Sequence, residues 1–423
     1  MHNYKIKNKR WIFRLTALIT TVSLFSYMQP SYALAGVRKN GEVIVAVIDT
    51  GVNIDHELLK DSIWVNNGEI PGNGIDDDHN GYIDDIWGWD FYNNDGSVFH
   101  DVSYPDSVLG SKYEDDHGTH VAGLIVSAAG RVGELFKDSD TAHVKIMVLQ
   151  INGGENSSGS TADAVKAIKY AEANGASICN LSWGSNENDS ALMRTIGESG
   201  MLFVCCAGNE GTNNDLIPVY PASYEYDNIL SVTGAEIGEN IILKGNYGRL
   251  DVDICADSIE RFSALSHGWG YKSGASMATA EVCGTAAALM GVAEITSVNL
   301  KNLLIDSSDR IANVTGGTLL GGLMNVEKAV SMISSNIKDP VPDDSVCLLL
   351  NYNEITITEA GGFVLRYLAL PAGSNANVTY ASFDDKIASV SYNGMVIGKA
   401  QGDVLICVKN SNGAESSCLV HVR

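Results

Sequence analysis

The sequence predicts an α/β fold with a parallel sheet, followed by a small all-β sandwich. Apolar, β-branched runs such as residues 43–48 do not alternate with polar residues, which is typical of strands buried on both faces of a parallel sheet. Runs of small residues, at 121–129 and again from residue 275, have the composition of closely packed helices that would cover such a sheet. From residue 346 onward, short alternating runs are separated by Gly, Asn and Asp turns, which is typical of a β-sandwich.

Composition divides the chain of 423 residues into four segments. The N-terminal segment is basic and contains no acid, and an apolar run over residues 15–28 precedes Ala33-Leu34-Ala35, which predicts a cleaved secretory signal. An uncleaved membrane anchor is the alternative. Prolines and acids near residue 340 predict a linker. The predicted segments are a signal peptide (1–35), the α/β domain (36–335), the linker (336–345) and the β-sandwich (346–423).

Three short motifs in the α/β domain carry Asp, His and Ser in that order. VIVAVIDTGV carries Asp49 at the carboxyl end of a predicted strand, where α/β sheets place their sites. DHGTHVAG carries His117, and SGASMATAEVCG carries Ser276 just before an Ala-rich helical stretch. A serine hydroxyl is a weak nucleophile unless a base accepts its proton and a carboxylate orients that base. The three residues together therefore indicate acyl transfer.

The order and the flanks of these motifs resemble the subtilisin-like peptidases, the subtilase family. FVCCAGNEG, ICNLSWGS and VYPASYEYDNILSVTGA extend the resemblance along the α/β domain. It implies that Asp49 orients His117, that His117 is general base and acid, and that Ser276 attacks the peptide carbonyl. It also implies that Asn209 and the Ser276 N–H bind the oxyanion. The expected activity is that of a serine endopeptidase acting on peptide or protein substrates.

The same resemblance implies a substrate cleft. A peptide would add through backbone hydrogen bonds to one edge of this cleft, with residues 151–154 as the opposite edge. Val219 would make the pocket for the side chain before the cut shallow, whereas Glu210 would favour a basic side chain, so the sequence leaves specificity open. The implied cleft residues are Ser182, Trp183, Gly184, Ala207, Gly208, Glu210 and Val219.

The sequence departs from the family pattern around the nucleophile. Ala275 and Ala280 replace the usual Thr and Pro, and Glu281 replaces a common His. A peptide ligase or cyclase on the same fold is one alternative, because Ala280 leaves the first helical turn less rigid than proline would. A catalytically silent surface-binding protein, led by the C-terminal domain, is another.

The region between the first two motifs concentrates negative charge. Residues 55–116 hold sixteen acids against two lysines. Within it, GIDDDHNGYIDD carries oxygen ligands on alternate residues around Gly81, as calcium loops do. We therefore expect a structural Ca²⁺ site, with a solvated acidic loop as the alternative. The predicted ligands are Asp76, Asp78, Asn80, the Tyr82 carbonyl and Asp84.

The C-terminal segment resembles bacterial immunoglobulin-like domains. The resemblance implies a secreted or cell-surface bacterial protein that contacts the cell envelope through this domain, and a spacer without a ligand is the alternative. For the eight cysteines we expect free thiols in the α/β domain, while a bridge among Cys347, Cys407 and Cys418 stays open.

Charge and chain order set two further expectations. The formal net charge of −23 disfavours binding to nucleic acid and to anionic membranes, and we expect a monomer. Only residues 36–42 separate the predicted signal from the first catalytic strand. We therefore expect the peptidase to fold without an inhibitory pro-segment.

Overall fold

The computed structural model describes residues 41–101, 115–136, 143–153, 159–334, 347–371, 374, 377–411 and 413–423. The predicted signal peptide and linker lie outside the described residues.

The α/β region contains six α-helices and twelve strands in its described parts. The helices are α1 (Asp116–Phe136), α2 (Thr161–Ala173), α3 (Ser190–Glu198), α4 (Ala275–Val292), α5 (Ser297–Ser307) and α6 (Val326–Ser334). The strands are β1 (Val43–Asp49), β2 (Gly88–Asp90), β3 (Val144–Gln150), β4 (Ile178–Leu181), β5 (Leu202–Cys206), β6 (Ile229–Glu236), β7 (Ile242–Leu243), β8 (Ile254–Asp257), β9 (Arg261–Ala264), β10 (Trp269–Lys272), β11 (Asp309–Arg310) and β12 (Gly322–Leu323).

Most of these strands form one sheet in the order β11-β12-β8-β6-β5-β4-β1-β3-β2, with β7 paired to β6. The pairs from β12 to β2 along this order are all parallel, whereas β11 and β7 pair antiparallel. Strands β9 and β10 form a separate antiparallel pair. Because parallel strands end at one edge of a sheet, side chains that follow β1, β4 and β5 meet there.

Strand β1 explains the unbroken apolar run in the sequence. Val45 and Val47 face the core under α1, α4, α5 and α6, while Ala46 and Ile48 face the core under α2 and α3. Helices therefore cover both faces of the sheet, and every residue of the strand interior is apolar. This arrangement confirms the α/β fold class that the sequence predicts.

Helix α4 lies at the centre of the first core. Among the described helices, it is the one long and apolar enough to cross a membrane, but its whole length is buried within the domain. A Cβ atom at Gly284 would lie 2.2 Å from the Ile125 carbonyl oxygen of α1. The absence of a side chain at this position therefore allows the backbones of α1 and α4 to approach closely.

The C-terminal region is rich in β-strands, as the sequence predicts. A four-stranded sheet (β14-β21-β20-β17) and a three-stranded sheet (β15-β19-β18) enclose a separate apolar core, and β13 pairs with β16. The strands are β13 (Cys347–Leu350), β14 (Glu354–Ile357), β15 (Gly362–Val364), β16 (Tyr367–Leu370), β17 (Val378–Ser382), β18 (Ala388–Val390), β19 (Met395–Gly398), β20 (Gly402–Asn410) and β21 (Glu415–Val422).

All eight cysteines are described, and all are free thiols. The expectation of free thiols in the α/β domain is therefore confirmed. Cys347, Cys407 and Cys418 also remain unbridged.

Candidate active site

Asp49 is the last residue of β1 and is buried. Its Oδ1 accepts hydrogen bonds from the Thr50 N–H at 2.8 Å and from His117 Nδ1 at 2.7 Å. The carboxylate thereby selects the imidazole tautomer that carries its proton on Nδ1 and leaves Nε2 able to accept a proton.

His117 is the second residue of α1, and the start of this helix is pressed against the end of β1. A Cβ atom at Gly118 would lie 2.1 Å from the Gly51 carbonyl oxygen, so a larger residue would push the helix away. The Gly118 N–H also donates to Thr50 Oγ1 at 3.1 Å. These contacts hold the His117 ring beside Asp49 while 30% of its side chain stays exposed.

Ser276 is the second residue of α4, where the helix N-terminus favours developing negative charge. Its hydroxyl donates to the Ser182 carbonyl at 3.0 Å, and Ser182 Oγ donates back to the Ser276 carbonyl at 3.2 Å. Trp183 Nε1 in turn donates to the Ile48 carbonyl, next to Asp49, at 2.9 Å. The carboxyl ends of β1 and β4 therefore bring Ser276 and the Asp49–His117 pair to the same edge of the sheet.

Asn209 follows β5 at the same edge and is exposed. Its Oδ1 accepts a hydrogen bond from the Ala275 N–H at 2.8 Å, one residue before Ser276. Because this bond fixes the amide oxygen, Nδ2 remains as a donor beside the N-terminus of α4. Gly208 turns the chain with a φ of +109°, a conformation that favours glycine.

Two residues of the implied cleft, Gly184 and Val219, lie against each other. A Cβ atom at Gly184 would lie 2.7 Å from Val219 Cγ1, so the Val219 side chain fills the space next to Gly184. Val219 is buried, and Ser185 pairs with Tyr220 as an isolated antiparallel bridge that holds the two segments together.

Glu210, another residue of the implied cleft, is exposed. Its Oε2 accepts a hydrogen bond from the Asn209 N–H at 2.9 Å and lies 2.7 Å from where a Cβ atom of Gly208 would be. The Glu210 carboxylate therefore lies against the turn at Gly208 and Asn209. Ala207 is fully buried. Gly154, the last residue of the opposite cleft edge, lies outside the described residues.

The carboxylates of the acidic segment, residues 55–116, have different hydrogen-bond partners. Asp76 accepts hydrogen bonds from the backbone N–H groups of Asn80 and Gly81, and Asp84 accepts them from Asn73 and Gly74. The Tyr82 ring packs edge-on against Trp89 and Tyr170 at 5.0 Å between ring centroids. The segment is therefore an ordered structure held together by its own side chains.

Three other carboxylates of this segment converge. Glu69, Asp78 and Asp85 each present an oxygen atom within 4.8 Å of the others. The amide nitrogens of Asn66 and Asn80 each donate to both Asp78 and Asp85. Of the predicted metal ligands, the structure thus brings Asp78 and Asn80 to this cluster, while Asp76 and Asp84 are engaged by backbone N–H groups.

Comparison with known proteins identifies the family of the α/β region. The family model described as the subtilase family matches residues 40–331. The chain belongs to the subtilase family. The resemblance to the subtilases that the sequence motifs carry is thereby confirmed.

Several relatives are similar to this subtilase over the same region. A thermophilic serine proteinase of Bacillus sp. (strain AK1) is 28% identical over 292 residues, which cover 68% of this chain and 61% of that protein. Subtilisin-like protease 2 of Plasmodium falciparum (isolate 3D7) is 28% identical over 305 residues, covering 69% of this chain and 20% of that protein. The chain thus spans less than two thirds of the length of these relatives.

Solved structures share the fold of this subtilase. The A-subunit of the AB5 toxin from E. coli is 23% identical with a TM-score of 0.52, covering 70% of this chain and 94% of the toxin chain. A mutant of the protease domain of PatA is 20% identical with a TM-score of 0.51, covering 72% and 99% of the two chains. At these identities the likeness establishes the subtilisin-like fold.

Glu281, a departure from the subtilase pattern, has charged partners. Its buried carboxylate accepts hydrogen bonds from Arg131 of α1, at 2.9 Å, and from Arg261 of β9. A buried carboxylate is tolerated when it is paired in this way. The three residues tie α4 to α1 and to β9.

Sequence reasoning missed Glu69 and Asp85 as members of the converging cluster. Asp85 is adjacent to the predicted ligand Asp84, and its side chain is fully buried, where Tyr170 donates to it at 2.5 Å. Glu69 lies upstream of the alternating motif and caps the Asp77, Asp78 and Asp84 N–H groups. These residues come together only when the irregular segment folds, so their spacing in the sequence does not predict that they belong to the cluster.

Proposed function

We propose that this subtilase is a secreted serine endopeptidase that hydrolyses peptide bonds through Asp49, His117 and Ser276. The observation that carries the proposal is the 2.7 Å hydrogen bond from His117 Nδ1 to the buried Asp49, at the sheet edge where Ser276 begins α4. The position of Asn209 Nδ2 beside that helix N-terminus supports a second role, that of oxyanion donor.

The reaction follows from these positions. Ser276 Oγ exchanges its hydrogen bond with Ser182 for one with His117 Nε2, transfers its proton there and attacks the substrate carbonyl carbon. The oxyanion accepts hydrogen bonds from the Ser276 N–H and Asn209 Nδ2. His117 then gives its proton to the leaving amine as the C–N bond breaks. A water molecule, deprotonated by His117, hydrolyses the acyl-enzyme and restores the serine.

The pocket geometry supports preference for a small side chain before the cut. Val219 fills the space next to Gly184, and the Glu210 carboxylate is already engaged by the Asn209 N–H. A long basic side chain would meet Val219 before its charge could reach Glu210. The expected substrates are extended peptide or protein segments with Ala, Ser or Gly at that position.

Hydrolysis of a mixed peptide library, followed by mass spectrometry, tests the proposal. We expect cuts after small residues, loss of all cuts in Ser276→Ala, and labelling of Ser276 by a serine-reactive phosphonate. A wild-type chain that is folded but neither cleaves nor is labelled would instead be a silent binding protein. Adding a free amine to the same reactions detects ligation, which would appear as aminolysis products.

A structural Ca²⁺ ion in the acidic segment is part of the proposal. The donor set of Glu69, Asp78 and Asp85 consists of carboxylate oxygens, which suit this hard cation. Asn66 and Asn80 flank the cluster, and an amide can present either its oxygen or its nitrogen. When bound, the ion would supply charge neutralisation to a segment that otherwise concentrates negative charge.

The proposed setting is outside a bacterial cell. The basic and apolar N-terminal sequence supports export, and the acidic composition favours peptide substrates over nucleic acid. Contact of a monomer with the cell envelope through the C-terminal immunoglobulin-like region remains a proposal from the sequence. N-terminal sequencing of protein recovered from the medium and from the envelope fraction tests both the cleavage and the location.

A further inference from the structure

The C-terminal region is joined to the peptidase region through a two-stranded sheet with two apolar faces. On β13, Leu348 and Leu350 belong to the C-terminal core, whereas Cys347 and Leu349 pack against the peptidase core. On β16, Leu370 is buried within the peptidase core itself. Because alternate side chains of these strands enter different cores, the two regions share a buried apolar contact.

Arg366, just before β16, connects the C-terminal region to the peptidase region through ion pairs. Its guanidinium donates to both oxygens of the buried Asp251, at 3.0 and 2.7 Å, and to Glu225 at 2.7 Å. The Arg366 backbone is held in turn, because its N–H donates to Asn351 Oδ1 at 3.0 Å. A bidentate arginine–carboxylate pair specifies orientation as well as attraction. Glu225 lies a few residues beyond Val219, in the segment that forms the pocket wall.

Tyr352 makes a second contact, which leads to the oxyanion residue. The Asn213 side chain donates to the Tyr352 hydroxyl oxygen at 3.0 Å. The next residue, Asn214, is fully buried and donates to the Ala207 carbonyl at 2.9 Å, at the base of the turn that carries Asn209. The loop between Asn209 and Asp215 is therefore held at one end by α4 and on its outer side by the C-terminal region.

We propose that the C-terminal region positions the loop between Asn209 and Asp215, here called the oxyanion loop. Tyr352 is the positioning residue, and it acts through its hydrogen bond with Asn213. This inference rests on the proposed peptidase function, because its effect on catalysis passes through Asn209. The C-terminal region is then a structural part of the catalytic unit, whatever else it contacts.

The test is Tyr352→Phe in the full chain, with kinetics normalised to active sites titrated by the phosphonate. The substitution keeps the ring against Phe363, 5.4 Å away between centroids, and removes only the hydroxyl that Asn213 binds. We expect kcat to fall about 3- to 10-fold with KM unchanged, the range that one net hydrogen bond allows. Tyr392→Phe is the matched control, because Tyr392 is 93% exposed in the same region.

Two further measurements separate positioning from a general loss of stability. In an Asn209→Ala background, adding Tyr352→Phe should change kcat by less than about twofold, because the donor it positions is already gone. Hydrogen exchange of the backbone amides in residues 209–217 should be faster in Tyr352→Phe than in Tyr392→Phe. An unchanged kcat in Tyr352→Phe, or an undiminished effect in the Asn209→Ala background, overturns the inference.

The exchange measurement also distinguishes this inference from the proposed function. If the wild-type chain cleaves no peptide, the peptidase proposal fails on its own. Exchange in residues 209–217 that is equal in Tyr352→Phe and in the control would still overturn the positioning contact.

Discussion

The catalytic edge, the sheet edge that holds Asp49, His117 and Ser276, lies beside the acidic segment. The side chains of the two regions are held in place in different ways. Asp90 of β2, Gln150 of β3 and Asp49 of β1 are neighbours in register across three strands. Asp49, His117 and Ser276 occupy the ends of regular elements. Residues 66–87 contain no helix or named strand, and their carboxylates are arranged by bonds to nearby backbone N–H groups and amides.

This difference decides how far a motif can be interpreted. At the sheet edge that holds Asp49, His117 and Ser276, a strand end or helix start fixes the direction of each side chain, so residue order and flanks are sufficient to predict a site there. In the acidic segment, the direction depends on turns such as those at His79 and Asp84, which have φ of 60° and 55°. The following predictions test this contrast in order of expected effect.

His117→Ala should cause the largest loss. Removal of the base leaves only binding and the oxyanion donors, and losses of about 10⁴- to 10⁶-fold in kcat are typical for this family. Peptide hydrolysis under saturating substrate measures it. The melting temperature should stay within a few degrees of wild type, and retention of more than a tenth of the activity would contradict the assigned role.

Asn209→Ala should lower kcat by about 10²- to 10³-fold, the effect known for this donor in subtilisin. KM should change little, because the donor acts on the charge that develops in the transition state. Asn188→Ala is the control, because Asn188 is exposed and lies outside the oxyanion loop. Equal activity of the two variants would show that Asn209 does not act on the oxyanion.

His120, one turn after His117 on α1, should make the fold sensitive to acid. Burial lowers the pKa of His120 to about 4, from 6.5 in the unfolded chain. Below pH 6.5 the unfolded chain binds the proton first, so stability is lost as pH falls from 6.5 towards 4. The total loss is on the order of 3 kcal/mol. Urea unfolding across this range measures it.

His120→Gln should flatten that pH dependence, because glutamine cannot titrate and can still donate to the Arg261 carbonyl that His120 contacts at 3.0 Å. His421→Gln is the contrasting variant. Hydrogen bonds to Asp403 and Glu354 raise the pKa of His421, so its contribution has the opposite sign and is lost as pH rises. If the free energy of unfolding depends on pH in both variants as it does in the wild type, another group is responsible for that dependence.

Chelation of calcium should have the smallest effect. An ion that binds only the folded state at a hundredfold excess over Kd stabilises it by about 2.7 kcal/mol, and a chelator should remove that amount. In Glu69→Gln and Asp78→Asn the melting curves with and without chelator should coincide. Asp61→Asn, a change at an exposed acid elsewhere, should retain the difference. Coincident curves for the wild type would leave the segment without a stabilising ion.

The sequence was sufficient for the subtilase family, the parallel sheet and the β-rich C-terminal region. Buried runs such as Val43–Asp49 and the residues around Ser276 carry local signals that survive folding. Contacts such as Tyr352 with Asn213, or Glu69 with Asp78, depend on how distant or irregular segments fold back. No periodicity encodes them, because each partner alone resembles an ordinary surface residue.

The burial of α4 has a consequence for the lifetime of the proposed protease among its own copies. A protease in solution is exposed to autolysis, which attacks segments that open without global unfolding. α4 is enclosed along its length and meets α1 at Gly284, so opening it requires loss of the whole core. Self-cleavage should therefore begin in exposed connections, and a nicked molecule should keep its nucleophile in place until the fold as a whole is lost.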